Sequence, residues 1–252
     1  MRLRQVALVA TNLDKIVGQL EAVLGLKVAY NDPGVEKYGL HNAVLPAGTG
    51  FLEVVAPFRD DVSAARYISR RGGDAGYMVI LQTADAEAER ARIEGLGVRV
   101  VDDIDRPEYR AAHFHPVDFG GVLVSVDQQR NVSDPLEPYG EWMPAGPTWR
   151  DARTADVVDL VAVTISSEDP DALAERWAEL LSVSPDRAHH RVLPLAHGAI
   201  EFDDAEPGAG TSLSGITLQV ADVEAIALRA ADAGVHVDDG VVIGGVHFRL
   251  SS

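Results

Sequence analysis

The sequence GTGFLEVVAP, residues Gly48–Pro57, is the stretch around which the rest of the chain is organised. A glycine-rich turn leads into a short strand whose apolar residues are of the types that fill a half-buried pleated surface. Glu53 is the one carboxylate in that strand. Because side chains alternate along a strand, Glu53 shares a face with Phe51 and Val55.

Two interpretations of Glu53 follow from this setting. Burying a carboxylate without a partner costs several kcal/mol or more, so a glutamate in an apolar strand needs a reason. One reason is that the strand lies at a sheet edge and the carboxylate points to water. The other is that Glu53 faces a cavity, where it acts as a ligand or as an acid/base group.

Composition excludes several classes of protein. With 252 residues, 46% of them hydrophobic, the chain can bury one large core or two ordinary ones. A formal charge of −17 argues against nucleic acid or an anionic membrane as partner. The absence of cysteine excludes disulfides and thiolate metal sites. No long apolar run and no signal peptide occur, so we expect a soluble cytoplasmic protein.

The first half of the chain predicts two units of the order β-α-β-β-β. In the first unit, Asn12 or Thr11 caps the helix and Gly25 ends it. Its predicted elements are a strand at Arg4–Ala10, a helix at Leu13–Leu24 and strands at Lys27–Tyr30, Leu40–Leu45 and Phe51–Ala56. The predicted elements of the second unit are a strand at Gly76–Thr83, a helix at Ala84–Glu94 and strands at Val98–Val101, Ala111–His115 and Val122–Val126.

The second half repeats this order in shortened form. Residues 131–153 interrupt it with four prolines and two tryptophans, which predicts an ordered linker that Trp142 and Trp149 fix to the flanking domains. The predicted elements that follow are strands at Val157–Ser166, Arg191–Leu195, Ala199–Phe202 and Ser214–Ala221, helices at Pro170–Leu181 and Val223–Ala233, and a hairpin of Val241–Ile243 and Val246–Leu250.

Four aligned segments show that the units are repeats. The openings are QVALVATN from Gln5, MVILQTAD from Met78, AVTISSED from Ala162 and GITLQVAD from Gly215. Each opening ends in Asn or Asp, which cap helix N-termini. The closing strands align Glu53 with Val124, Glu201 and Phe248. One such unit cannot cover its own apolar sheet face, so the units must pair.

This pattern resembles the vicinal oxygen chelate superfamily, which includes glyoxalase I, fosfomycin and bleomycin resistance proteins and extradiol dioxygenases. HNAVLPAGTGFLEVVAP and HFHPVDFGGVLVSVD are similar to its broad group of glyoxalase-like domains. The resemblance implies an α+β fold of four βαβββ modules, the last two shortened, paired into two domains with U-shaped sheets. We expect an N-terminal domain over residues 1–130, the linker over 131–154 and a smaller C-terminal domain over 155–252.

The resemblance also implies a metal site in the hollow of each sheet. Gln5 and Glu53 match its ligand positions, and Glu201 matches one more. The residues that do not match are Met78, Val124, Ala162, Gly215 and Phe248. Two ligands do not hold a hard divalent cation firmly, so we expect a degenerate site and no cofactor. The alternative is Zn, Mn, Fe or Ni held by Gln5, Glu53, His113 and His115.

The residues of that hollow suggest an enzyme of the lyase or isomerase type acting on a small oxygenated metabolite. Glu53 is the expected acid/base group, with a pKa raised by partial desolvation, and His113 assists it. Gln5, His41, Asn42 and His115 are expected to contact the ligand, although His41 and Asn42 must face opposite ways. The alternative function is binding or resistance, in which a small molecule is sequestered without chemistry. The second domain is expected to be structural or to form a homodimer.

Overall fold

The structure, a computed structural model, describes residues 1–252 apart from the side chain of His236. The described residues form fourteen strands in two sheets and five α-helices. The elements of the first sheet and its helices are β1 (Arg2–Val9), α1 (Leu13–Leu24), β2 (Leu40–Ala47), β3 (Gly50–Pro57), α2 (Ser63–Arg71), β4 (Ala75–Gln82), α3 (Ala86–Gly95), β5 (Val100–Asp105), β6 (Tyr109–Phe114) and β7 (Leu123–Gln129).

The second sheet repeats the order, and in each of its two modules the strands after the helix are shorter than their counterparts in the first sheet. Its elements are β8 (Val157–Ser167), α4 (Pro170–Leu181), β9 (Val192–Pro194), β10 (Ala199–Asp204), β11 (Ser212–Val220), α5 (Val223–Asp232), β12 (His236–Val237), β13 (Gly240–Ile243) and β14 (Val246–Ser251). The predicted α+β fold of four modules is thereby confirmed. None of the helices among the described residues is long and apolar enough to cross a membrane.

One predicted strand is wrong. Lys27–Tyr30 forms no strand, and Tyr30 makes an isolated bridge to Val44 instead. The following residues, Pro33–Tyr38, form a 3-10 helix, which begins because the Asp32 side chain accepts a hydrogen bond from the amide of Gly34. The proline at the start of that turn cannot donate a hydrogen bond to a sheet ladder, so the chain turns here rather than extending.

The repeated Asn or Asp caps the first helix of every module, as the sequence predicts. Asn12, Asp85, Asp169 and Asp222 each accept a hydrogen bond from the amide three residues further on. These bonds satisfy one of the amides that the first turn of a helix leaves without a partner. The four caps explain why the aligned openings all end in the same residue type.

Removing one cap should weaken the fold measurably. Asp169→Ala deletes the acceptor that holds the amide of Ala172 at 3.0 Å, and such losses cost about 1 kcal/mol. We expect urea unfolding to show that decrease in the free energy of unfolding. Asp169→Asn keeps an acceptor oxygen and is the matched control. Equal stability of Asp169→Ala and the natural protein would contradict the capping role.

The chain forms two compact units, each of which takes residues from both halves of the sequence. Unit 1 consists of Met1–Arg4, Tyr77–Met143 and Val161–Leu213, and unit 2 of Gln5–Gly76, Pro144–Leu160 and Ser214–Ser252. Unit 1 therefore holds the second and third modules, and unit 2 holds the first and fourth. The predicted contiguous domains, 1–130 and 155–252, stay a prediction.

Within unit 1 the strand orders are β4-β7-β6-β5 and β8-β10-β9. Trp177 of α4 joins the two modules of this unit. Its ring meets Phe119 edge-on at 5.2 Å and Phe202 at 5.6 Å, and its indole N–H donates to the carbonyl oxygen of Phe119 at 3.0 Å. A fully buried tryptophan with its N–H satisfied makes a large apolar contribution to this core.

Within unit 2 the strand orders are β2-β3-β1 and β12-β13-β14-β11. β3 is parallel to β1 and antiparallel to β2, so it has a neighbour on both sides. The turn before β3 requires glycine: Gly48 has a φ of +67°, and a Cβ there would lie 2.1 Å from the carbonyl oxygen of Val158. The stretch that organises the sequence is thus held closely in the core of unit 2.

Candidate functional site

Glu53 lies in the interior of unit 2. Because β3 has strands on both sides, the interpretation of Glu53 as an edge-strand carboxylate in water is wrong. Only 7% of its surface is exposed. It shares a sheet face with Phe51 and Val55, as alternation predicts. A buried carboxylate at this position needs hydrogen-bond partners.

Two amide side chains supply those partners. Gln5 Nε2 donates to Glu53 Oε2 at 2.8 Å, and Asn42 Nδ2 donates to Glu53 Oε1 at 2.7 Å. The register explains the arrangement: Gln5 lies opposite Phe51, and Asn42 lies opposite Val55. Each amide is therefore the diagonal cross-strand neighbour of Glu53 on the same face. The structure adds Asn42 to the pair of Gln5 and Glu53 that the sequence predicts.

The pKa of Glu53 is raised above its ordinary value of 4.5. The main cause is burial, which disfavours the charged carboxylate. The hydrogen bonds from Asn42 and Gln5 lower the pKa, and the nearby negative charge of Asp32 raises it. Burial outweighs the two hydrogen bonds, so Glu53 keeps its proton to a higher pH than an exposed glutamate does. This agrees with the direction expected from the sequence.

The raised pKa predicts a pH-dependent stability difference between the natural protein and Glu53→Gln. Between the unfolded and the folded pKa the folded protein binds more protons, so its free energy of unfolding falls as pH rises. Glutamine does not titrate. The stability advantage of glutamate over glutamine should therefore be largest below pH 4.5 and shrink as pH rises through the folded pKa. Urea unfolding of both proteins across this range measures it, and a pH-independent difference would contradict the shift.

A cleft of about 440 Å³ lies next to this network. Asn42 belongs both to the cleft wall and to the hydrogen-bond network of Glu53. The cleft is lined by Asn12, Leu13, Asp14, Asn31, Asp32, Pro33, Val35, Glu36, Leu40, His41 and Asn42. At the Phe51 end of the same face, the fully buried ring of Trp149 packs edge-on against Phe51 at 4.9 Å. One end of the face is thus closed, and the cleft lies near the other.

Sequence reasoning missed Asp32. Its backbone amide donates to Asn42 Oδ1 at 2.8 Å, which orients the Asn42 amide so that its nitrogen faces Glu53. Its charge also raises the pKa of Glu53. The signal was the turn sequence Asn31-Asp32-Pro33-Gly34, which is typical of a loop residue that bonds the backbone. The proximity of this turn to Glu53 depends on tertiary structure.

His41 does not face Glu53. It lies one residue before Asn42 on β2, so its side chain points to the opposite face of the sheet. It is exposed, its ring lies 4.7 Å from the ring of Phe58, and it lines the cleft. Although the two side chains lie on opposite faces of the strand, both residues line the cleft. Contact of His41 with a ligand stays a prediction.

His113 and His115 belong to unit 1, whereas Gln5, Asn42 and Glu53 belong to unit 2. His113 is half-buried on β6, in register with Asp102 and with Ser125. The predicted strand Ala111–His115 is wrong at its end, because β6 ends at Phe114 and His115 lies outside it. His115 instead caps a 3-10 turn, in which its Nδ1 accepts from the amide of Val117 at 3.2 Å, and Pro116 cannot extend the ladder. Their roles stay predictions.

The strand registers also correct two aligned positions. Gln5 pairs with Phe51, two residues before Glu53, whereas Met78 pairs with Leu123, two residues before Ser125. Ser125 therefore occupies the position of Glu53 in the second module, not Val124. By the same reasoning Gly215 pairs with His247, which puts Arg249 rather than Phe248 at that position in the fourth module. Counting from the glycine failed because its place relative to the register differs. The glycine lies one residue before the partner of the opening residue in the first and third modules, and two residues before it in the second and fourth.

The donors around Glu53 do not fit a divalent metal. Gln5 and Asn42 turn their N–H groups, and not their oxygens, toward the carboxylate, and an amide N–H group is not a metal ligand. Among the residues whose side chains are described, no three histidine, aspartate or glutamate side chains are grouped as a metal site requires. Glu201 of the third module lies 3.5 Å from the Thr164 hydroxyl, on β10.

Comparison with known proteins assigns the family. The glyoxalase-like domain family matches residues 6–181. This chain belongs to that family. The match places it in the vicinal oxygen chelate superfamily and covers the first two modules, the linker and the opening of the third. No curated protein sequence matches the chain significantly.

Three solved structures are similar to this glyoxalase-like protein over different shares of the chain. A triple mutant of 4-hydroxymandelate synthase from Streptomyces coelicolor covers 93% of this chain and 75% of its own, at 17% identity and a TM-score of 0.68, which shows the fold. A variant of methylmalonyl-CoA epimerase from Streptomyces coelicolor, in complex with 2-nitronate-propionyl-CoA, covers 52% of this chain and 98% of its own, at 26% identity and a TM-score of 0.47. Methylmalonyl-CoA epimerase from Mycobacterium tuberculosis covers 50% and 86%, at 23% identity and a TM-score of 0.45.

Proposed function

We propose that this glyoxalase-like protein is a lyase or isomerase that acts on a small oxygenated metabolite, with Glu53 as the general acid and base. The observation that carries the proposal is the Gln5–Glu53–Asn42 network, in which a buried carboxyl of raised pKa lies beside a cleft. A carboxyl with a pKa nearer to neutrality exchanges protons with a carbon or oxygen acid more effectively than an ordinary one.

The network indicates how each residue would act. Glu53 would take a proton from a carbon next to a carbonyl group of the bound metabolite and return it to the same or a neighbouring atom. Gln5 and Asn42 would orient the two carboxylate oxygens and stabilise their charge after the proton leaves. Asp32 would position Asn42 through its backbone amide. Closure of the Phe51 end by Trp149 would exclude water from one side of the face.

A second candidate function is binding of a small molecule without chemistry. The observation that favours it is that both carboxylate oxygens already accept hydrogen bonds, so in this function Glu53 holds the shape of the cleft wall. The resistance proteins of the superfamily are the corresponding case. The two functions differ in one measurable respect: only the enzyme exchanges substrate protons.

Exchange of carbon-bound protons with solvent tests the proposal without knowledge of the natural substrate. The protein is incubated in D₂O with hydroxyacetone, glyceraldehyde or the hemithioacetal of methylglyoxal and glutathione, and proton NMR follows the signal next to the carbonyl. We expect at least one probe to lose that signal faster than in buffer. Ligand-induced thermal stabilisation with no exchange for any bound probe would favour the binding function instead.

Metal analysis of the purified protein tests the degenerate site. Because both carboxylate oxygens of Glu53 accept hydrogen bonds from amide N–H groups, we expect far less than one Zn, Mn, Fe or Ni per chain. One metal per chain that survives dialysis, and whose removal by a chelator stops proton exchange, would replace the metal-free proposal. In that case Gln5, Glu53, His113 and His115 are the first ligands to test by substitution.

A further inference from the structure

The module-2 face, defined here as the sheet face of β4, β6 and β7 that carries Gln82, Tyr109, Ser125, Asp127 and Gln129, is unusually polar for a buried surface. All five residues are at least nine-tenths buried within unit 1. The Tyr109 hydroxyl donates to Asp127 in this surface. Buried polar groups generally have hydrogen-bond partners. The segment that covers this face therefore indicates which kind of ligand the face binds.

Part of the chain's own linker covers it. Residues 135–143, here called the strap, both accept hydrogen bonds from side chains and donate hydrogen bonds to side chains through their backbone. Gln82 Nε2 donates to the carbonyl oxygen of Pro135 at 2.6 Å, and the Met143 amide donates to Gln129 Oε1 at 2.9 Å. The face therefore recognises peptide groups at both ends of the strap.

Two arginines at the start of β1 hold the middle of the strap. Arg4 Nη1 donates to the carbonyl oxygen of Pro138 at 2.8 Å, and Arg2 Nη1 lies 3.4 Å from that of Leu136. The Arg4 side chain is fully buried. When a peptide leaves such guanidinium groups, their N–H donors form hydrogen bonds with water instead. Release of the strap therefore does not leave these donors without an acceptor.

Trp142 is the anchor of the strap. Its ring is almost fully buried, meets Tyr109 edge-on at 5.5 Å and lies 5.3 Å from the Arg4 guanidinium carbon. An aromatic ring in a buried pocket, surrounded by backbone hydrogen bonds, is the arrangement by which interfaces bind peptides. The strap is also preformed by its own turns, in which the Gly140 amide donates to the carbonyl oxygen of Glu137 at 2.9 Å.

The strap leaves part of the face without partners. Among the described residues, neither Gln82 Oε1 nor the Ser125 hydroxyl has a hydrogen-bond partner, although both are buried. A permanent part of a core would be expected to satisfy such groups. The strap thus leaves buried polar groups of the face unsatisfied, and it is held through its backbone and one indole ring. Both features distinguish it from the helices and strands around it.

We propose that the module-2 face is a peptide-binding groove that the strap occupies in cis as a displaceable ligand, and that it accepts the same segment in trans. The ligand class is a turn-forming peptide with backbone carbonyls for the two arginines and Gln82 and an indole for the pocket beside Tyr109. The proposal is independent of any chemistry at Glu53.

Peptide binding in trans tests this. A fluorescein-labelled peptide of residues 133–144 is titrated with the natural chain and with Trp142→Ala, and anisotropy is measured. In the natural chain the tethered strap competes at a high effective concentration, so binding should be weaker by about 10²-fold than to the variant that has lost its anchor. The same peptide carrying Trp142→Ala is the control and should bind neither protein. Absence of binding to a folded Trp142→Ala chain would overturn the proposal.

Hydrogen exchange of the natural protein provides a test that needs no variant. If the strap is displaceable, the Met143 amide exchanges through a local opening and is less protected than the ladder amides of β7. Equal protection of Met143 and of β7, with both exchanging only on global unfolding, would show that the strap is a fixed part of the core. That result would also overturn the proposal, even where Trp142→Ala fails to fold.

Discussion

Glu53→Gln should reduce proton exchange of a responsive probe by about 10²–10⁴-fold, the range that a positioned acid/base group contributes to a rate. Glutamine has nearly the same size and keeps an oxygen that can accept a hydrogen bond from Gln5 or Asn42. It cannot take a proton. The variant should therefore fold, bind the probe with similar affinity and lose exchange. The measurement is the rate of signal loss in D₂O at saturating probe.

The third module provides a matched control. Glu201 occupies the position of Glu53 in that module, on β10, but it is half-buried, and its Oε2 lies 3.5 Å from the Thr164 hydroxyl. Glu201→Gln should leave the exchange rate unchanged. If both variants exchange at the natural rate, Glu53 is not the acid/base group, and its hydrogen bonds serve the shape of the cleft. If both lose activity together, a general loss of fold is the cause.

Trp177→Ala should lower the free energy of unfolding by about 3–5 kcal/mol, the cost of replacing a large buried aromatic residue by alanine. The indole is fully buried in unit 1, where it contacts Phe119 of the second module and Phe202 of the third. Its loss leaves a cavity and removes the donor to the Phe119 carbonyl oxygen. Guanidinium chloride unfolding followed by circular dichroism measures the change.

Two control variants separate packing from the hydrogen bond in this prediction. Trp177→Phe keeps much of the apolar volume but no N–H, so we expect a smaller loss than for alanine. Leu228→Ala changes a side chain that is 69% exposed and should stay within about 0.5 kcal/mol of the natural protein. A loss for Trp177→Ala no larger than that for Leu228→Ala would show that the contact between the second and third modules contributes little to stability.

The repeated modules were predictable because they depend on local chemistry. An Asn or Asp at the end of each opening strand caps the next helix, and glycine before each closing strand permits the turn. The tryptophans of the linker are buried, as the sequence predicts for an ordered segment. The predicted strand at Lys27–Tyr30 does not form, because a capped turn at Asp32 competes with strand pairing.

The chain alone determined the four modules, the family and the pair Gln5 and Glu53, since these follow from period, capping and the spacing of residues within one module. Only the tertiary structure decided which residues surround Glu53 and which modules pack together. Asn42 and Asp32 reach the carboxylate through cross-strand register and a loop, and register depends on loop lengths that no local pattern reveals. Likewise, the second module packs with the third because Trp177 fits between Phe119 and Phe202, a complementarity of shape between residues far apart in sequence.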